Sequence, residues 1–397
     1  MKILTHRLDI IALSIAVTLA SDSTLAKETC AKVTIGLPKV AVSKSFIEEA
    51  DARALETKRN RKRLRETQAN LTFEPGQRRR DLENAFRNED ALTAIIELEN
   101  LAGYYYQTGD SARYEQTLTQ LEDAVLTGKP VDEFNRSRHA SQHMMLLRIY
   151  ALTEFASESK DRLAKMKSVV DFVKKHTIGY ASKAPKEIRG AFARTPIMSL
   201  HLNKVVLKVA ALEGDVLAVD SAIELLLDKH LSDRSSEQAS PDYKQPSDRQ
   251  EAEARALADE AKLVLTEAQI VKGNLTGKTQ YYAEAVQGLK LISDYGVDEC
   301  NAELVGRAAL LRSQALLQNA LAERDDGQKR ALLGEADEHV QVARRLLEQL
   351  HFPSLWSFAH SLSADIYEQL EIWAPNESLK NHYKNLKIRS HELSQSG

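Results

Sequence analysis

Beyond Pro75-Gly76, apolar residues recur at i, i+3, i+4 and i+7 through most of the chain, the spacing that lines up one face of a helix. Ile95, Leu98, Leu101, Ala102 and Tyr105 make one such stripe, and Ile223, Leu226 and Leu227 belong to another. Each stripe ends at a turn that contains Gly or Asp, and a second stripe follows. The pattern predicts paired helices over 91–108 and 111–127, 137–157 and 159–176, 197–213 and 216–231. It continues with 249–272 and 279–294, 301–323 and 328–350, and 354–373 and 376–394. Self-similarity at about 40 to 50 residues is the signature of stacked helical hairpins. The expected fold is all-α, a right-handed α-solenoid of about six hairpins.

Three segments fall outside this pattern. Residues 27–44 lack helical periodicity and read as an extended tail. A polar helix is expected from Ser45 to about 70, with Glu48 and Glu49 in its first turn. The stretch 232–249 carries two prolines and a run of serines, and reads as a linker between helical repeats at 45–231 and at 250–397.

The unit ELENLAGYYYQTGDSARYEQTLTQLEDAV, from Glu97, resembles the tetratricopeptide repeat. Leu101-Ala102 stands where that family has Leu-Gly, Tyr105 matches its helix A tyrosine, and Gly109-Asp110 matches its turn. Leu118 and Leu121 fall on the inner face of helix B, while Tyr114 occupies a position that is usually a small Ala. Gly214-Asp215 marks the same turn in a second unit, and Tyr282-Ala283-Glu284-Ala285-Val286 begins helix B of a third. The resemblance implies close-packed hairpins and a concave surface that takes a peptide or protein.

The N-terminus alters the compartment expected for such an array. Lys2 and Arg7 precede the apolar run Ile10–Ala20, and Thr24-Leu25-Ala26 supplies small residues before a cleavage point. Residues 1–26 therefore read as a secretory signal peptide. The run is shorter than the roughly 20 residues a bilayer helix needs, and no later stretch qualifies, so no transmembrane segment is expected in the mature chain. A periplasmic or secreted location follows. Cys30 and Cys300 are the two cysteines of the chain, and an oxidising compartment makes a disulfide between them the natural reading, with two unpaired thiols as the alternative.

Charge and chemistry narrow the function further. The 54 Lys and Arg against 57 Asp and Glu leave a formal net charge of −3, which gives no global attraction to nucleic acid. Lys58, Arg59, Arg61, Lys62, Arg63 and Arg65 form a local basic patch, open to an anionic surface or merely a solvated face. Gly273 to Thr279 is not a phosphate loop, because three residues rather than four separate its glycines and a helix precedes it. Glu335 and His339 share a helix at i, i+4, but the His-Glu-x-x-His and Gly-x-Ser-x-Gly motifs are absent. That segment reads as a solvated charged helix. No enzyme activity, metal or cofactor is expected.

The Tyr104-Tyr105-Tyr106 run carries the binding expectation. Consecutive helical residues point about 100° apart, so the three rings cannot all enter the core. Tyr105 is the core member, and Tyr104 and Tyr106 are the candidate groove residues. Trp356 and Trp373 are expected to close the last hairpin. The expected function is an exported interaction scaffold or adaptor that binds a peptide or protein of the cell envelope. The alternative is a helical periplasmic ligand sensor or enzyme with a pocket between the two halves.

Overall fold

The computed structural model describes residues 75–88, 91–108, 110–127, 133–152, 162–177, 196–230, 248–299, 301–350 and 352–395. The expected leader and tail, the basic patch from Lys58 to Arg65, both cysteines and most of the 232–249 linker lie outside the described residues. Every element among the described residues is a helix, thirteen in all. They are α1 (Pro75–Arg87), α2 (Ala91–Thr108), α3 (Ser111–Leu126), α4 (Glu133–Leu152), α5 (Leu163–Thr177) and α6 (Pro196–Glu213). Then come α7 (Val216–His230), α8 (Asp248–Thr276), α9 (Thr279–Asp298), α10 (Ala302–Ala322), α11 (Asp326–Leu350), α12 (Pro353–Ile372) and α13 (Glu377–Gln395).

The helices form two compact units. One comprises the described residues up to Ala222, those within Glu348–His360, and those from His391 on. The other comprises the described residues within Ile223–Leu347 and Ser361–Ser390. In the first unit α2 packs on α3 and α4, and α4 on α5 and α6, while α3 packs on α4 and α5 on α6. Each hairpin thus buries its apolar stripe against its own partner and against the next hairpin. Ile95, Leu98, Leu101, Tyr105, Leu118, Leu121, Leu146 and Tyr150 belong to that shared core. α1 opens on Pro75, where the fixed φ suits a first helical turn and the missing N–H costs nothing, and it packs on α2.

The second unit centres on α10, which packs on α9, while α8 packs on both. α10 buries residues around most of its circumference, among them Leu304, Ala308, Leu311, Ala315 and Leu316. Small residues permit the close approach: a Cβ on Gly306 would stand 3.3 Å from Leu346 Cβ, and one on Gly296 would stand 2.9 Å from Val305 Cγ2.

Turn chemistry sets the element ends. Asp110 caps α3 by accepting from the Arg113 backbone N–H at 3.1 Å, and Asn301 caps α10 by accepting from Leu304 N–H at 3.1 Å. Gly214 turns between α6 and α7 with φ 76°, a conformation that costs glycine little. The Gly273–Gly277 stretch differs from the expected turn. α8 continues to Thr276, and Gly277 alone turns, with φ 66°. Gly273 is helical, and its missing side chain makes room for the Tyr282 ring, 2.5 Å from where a Cβ would stand.

Candidate functional site

The tyrosine run sits on the last turns of α2 in the first unit, and its three rings have three environments. Tyr105 is buried. Its hydroxyl accepts from Arg79 Nε at 2.9 Å and Nη2 at 2.5 Å, so α1 is pinned to α2 through a phenol. The Arg113 guanidinium lies 5.9 Å from the same ring centroid. Tyr104 is half-buried and meets Tyr105 edge-on, with centroids 5.6 Å apart. Tyr106 is half-buried too, but its ring packs on Tyr114 of α3 at 5.6 Å. Its carbonyl accepts from Ser354 Oγ at 2.8 Å, a bond that brings the start of α12 to α2. Tyr104 and Tyr106 both pack on the same core as half-buried rings, Tyr106 across to α3 and Tyr104 on its own helix, and the end of α2 that carries them is the candidate ledge. Tyr114 fills the position where the resemblance called for a small residue.

A frame of ion pairs, several of their carboxylates buried, links successive helices of this unit. Arg78 of α1 donates through Nη1 to both Glu97 oxygens, at 2.8 and 2.9 Å. Arg148 of α4 pairs with Glu99 of α2 at 2.6 Å. Burial raises the Glu99 carboxyl above its usual value, and Arg148 acts against that rise. Glu122 of α3 is 1% exposed. It accepts from Tyr150 Oη at 2.9 Å, Arg162 Nε at 2.9 Å and Lys165 Nζ at 2.6 Å. Arg162 also donates to Glu115 through Nη2 at 2.5 Å. Burial works against its charge, yet the bonds to Glu115 and Glu122 raise its pKa. Lys208 of α6 is 1% exposed, and its Nζ donates to the Tyr150 carbonyl at 2.5 Å. These groups hold helices in register; each carboxylate faces a cation or a hydroxyl donor, an arrangement suited to orientation rather than to proton transfer.

In the second unit, the segment expected to be a solvated charged helix is partly buried, which corrects that reading. His339 is 4% exposed because it flanks Leu333, Ala336, Val340 and Ala343 on the buried face of α11. Its Nε2 stands 3.6 Å from Glu335 Oε1, at ion-pair rather than hydrogen-bond distance. Arg312 Nη2 of α10 donates to that same oxygen at 2.6 Å. Burial lowers the His339 pKa and Arg312 adds to the effect, with Glu335 and Glu338 opposing. His339 and Arg312 both hold the Glu335 carboxyl below its usual range. On α12, burial and the nearby Asp337 raise the Tyr367 phenol. Among the described residues, no three His, Cys, Asp or Glu side chains are grouped to hold a metal ion. No described helix is long and apolar enough to cross a membrane.

Sequence reasoning missed Arg79 and the Glu122 cluster. A signal for Glu122 was present: it occupies a core position in the stripe Leu118, Leu121, Glu122, Val125. A carboxylate there requires buried donors.

No family model matches the chain. No curated protein matches it. Among solved structures, one described as a circular tandem repeat protein with novel repeat topology and enhanced subunit contact surfaces is similar at a TM-score of 0.28 and 14% identity. The alignment covers 88% of this chain and 82% of that one. A likeness at that score assigns neither fold nor function.

Proposed function

We propose that the chain is an exported interaction scaffold that binds a peptide or protein against the α2 ledge, with Tyr104 as the principal anchor. The observation that carries this reading is the succession of contacts in the first unit. Hairpin α2–α3 packs on α4, and hairpin α4–α5 packs on α6. Stacking of this kind makes each hairpin bury one face and leaves the others available. We assign the stack to right-handed, tetratricopeptide-like hairpins. Asp110 at the cap of α3 and Gly214 at the α6–α7 turn, both in the positions the repeat uses, support that assignment. Export rests on Lys2, Arg7, the run Ile10–Ala20 and Thr24-Leu25-Ala26.

The test is affinity capture from an envelope extract with the wild-type chain and with Tyr104→Ala. The scaffold reading expects a reproducible protein partner that Tyr104→Ala loses without a change in thermal unfolding. Co-purification of a small molecule in native mass spectra, with no protein partner, would favour a ligand sensor instead.

A further inference from the structure

The cations of the first unit divide into two kinds. Arg78, Arg148 and Arg162 each face a carboxylate on a neighbouring helix. Arg79, one residue on from Arg78, does not: among the described residues its partners are the Tyr105 hydroxyl and the Tyr105 ring, both neutral. Arg79 is exposed. The geometry of its bonds also fixes its orientation. The Nε and Nη2 atoms both point at the phenol oxygen, so that edge of the planar fork is used. The opposite edge, made of Nη1 and the second Nη2 hydrogen, is spent on no described residue. That edge still presents two parallel donors to a carboxylate.

The surroundings add to the selectivity. Arg113 brings a second guanidinium to the same ring, and it shares its charge with Asp110 at 3.2 Å. Tyr104, half-buried, meets the edge of the same Tyr105 ring. We propose that Arg79, Arg113 and Tyr104 together form a recognition site for an acidic peptide segment, an Asp or Glu carboxylate on Arg79 with an adjacent apolar side chain on Tyr104. The proposal rests on the scaffold reading and names the chemistry of its partner. A peptide fits better than an anionic membrane. A lipid surface is held by a continuous basic face, whereas Asp81, Glu83 and Asp110 interrupt the positive charge here.

The experiment is fluorescence anisotropy of the full mature chain with two labelled peptides, one alternating Glu and Leu and one with Gln replacing every Glu. The Glu peptide should bind at least tenfold more tightly, and Arg79→Gln should abolish about tenfold of that difference. Arg79→Gln keeps a donor for Tyr105 while it removes the charge. Arg87→Gln serves as the charge-matched control; Arg87 is exposed and paired only within α1, 3.7 Å from Glu83, and its loss should change binding less than twofold. Raising NaCl from about 0.05 M to about 0.3 M should weaken the wild type more than Arg79→Gln, which retains Arg113. Equal binding of both peptides overturns the proposal, and if Tyr104→Ala still weakens them the scaffold reading survives. Equal loss from Arg79→Gln and Arg87→Gln overturns it as unspecific charge attraction. So does binding to phosphatidylglycerol vesicles with no binding to the Glu peptide.

Discussion

Replacing Glu122 with Ala should unfold the first unit at markedly lower denaturant. The carboxylate has three donors, and each contributes differently. Tyr150 is fully buried, and loss of its bond to Glu122 costs about 1 to 1.5 kcal/mol. Arg162 is 16% exposed on its side chain and retains Glu115, so it is left partly rather than wholly uncompensated. Lys165 is 38% exposed and can turn to water, which reduces its share to the surface range of under about 1 kcal/mol. The sum is about 3 kcal/mol, at the lower end of what breaking a buried pair costs. Glu122→Gln keeps the shape and some bonds, and should cost about 2 kcal/mol. Tyr150→Phe should cost about 1 kcal/mol, and the double variant should show a coupling of about 1 kcal/mol with Glu122→Ala. The chain offers a clean reporter. Of its two tryptophans, Trp356 belongs to the first unit and Trp373 to the second. Urea unfolding in a Trp373→Phe background therefore follows the unit that holds Glu122. A loss below about 1 kcal/mol for Glu122→Ala, or no coupling to Tyr150, would refute the buried frame as a source of stability.

Three further outcomes follow from the same structure. Gly273→Ala should cost about 2 kcal/mol, because the new Cβ meets the buried Tyr282 ring, whereas Gly214→Ala should cost about 1 kcal/mol from backbone strain alone, its Cβ meeting nothing within 4 Å; thermal unfolding of the pair checks the order. His339 has a folded pKa below its unfolded value, so its neutral form is favoured in the fold. The unfolded chain takes up the proton first as pH falls below about 6.5, and stability of the second unit should drop there; urea titrations read by Trp373 should show a shallower drop in His339→Gln. Cys30 and Cys300 should be bonded in the exported chain, which an intact-mass measurement with alkylation before and after reduction reads directly, two freely alkylated thiols being the contrary result.

Much of the helical order was legible because it depends on local periodicity. The stripe from Ile95 to Tyr105 set α2 over 91–108, where the structure has it. Leu118 and Leu121 were assigned to the inner face of α3 and are buried. Sequence spacing also showed that the three tyrosines cannot all be core, and Tyr105, the one read as core, is buried. What was not legible depends on separations of tens of residues. Glu122 meets Tyr150, Arg162 and Lys165 across 28, 40 and 43 positions, and no local window holds those partners. The charged neighbours Asp337 and Glu338 make the His339 segment read as solvated; the deciding fact is its place between the buried Ala336 and Val340 on the apolar stripe. The bond from Ser354 to the Tyr106 carbonyl spans 248 positions and is equally beyond any local window.

The central claim is that the α2 ledge meets another protein through Tyr104. A photo-reactive phenylalanine analogue placed at position 104, in the exported chain within its native cells, tests it most directly. The account predicts a discrete crosslink to a second protein from position 104, and none from the exposed Phe86 at 54% exposure. Crosslinks of equal strength and pattern from both positions, or none from position 104, would contradict it.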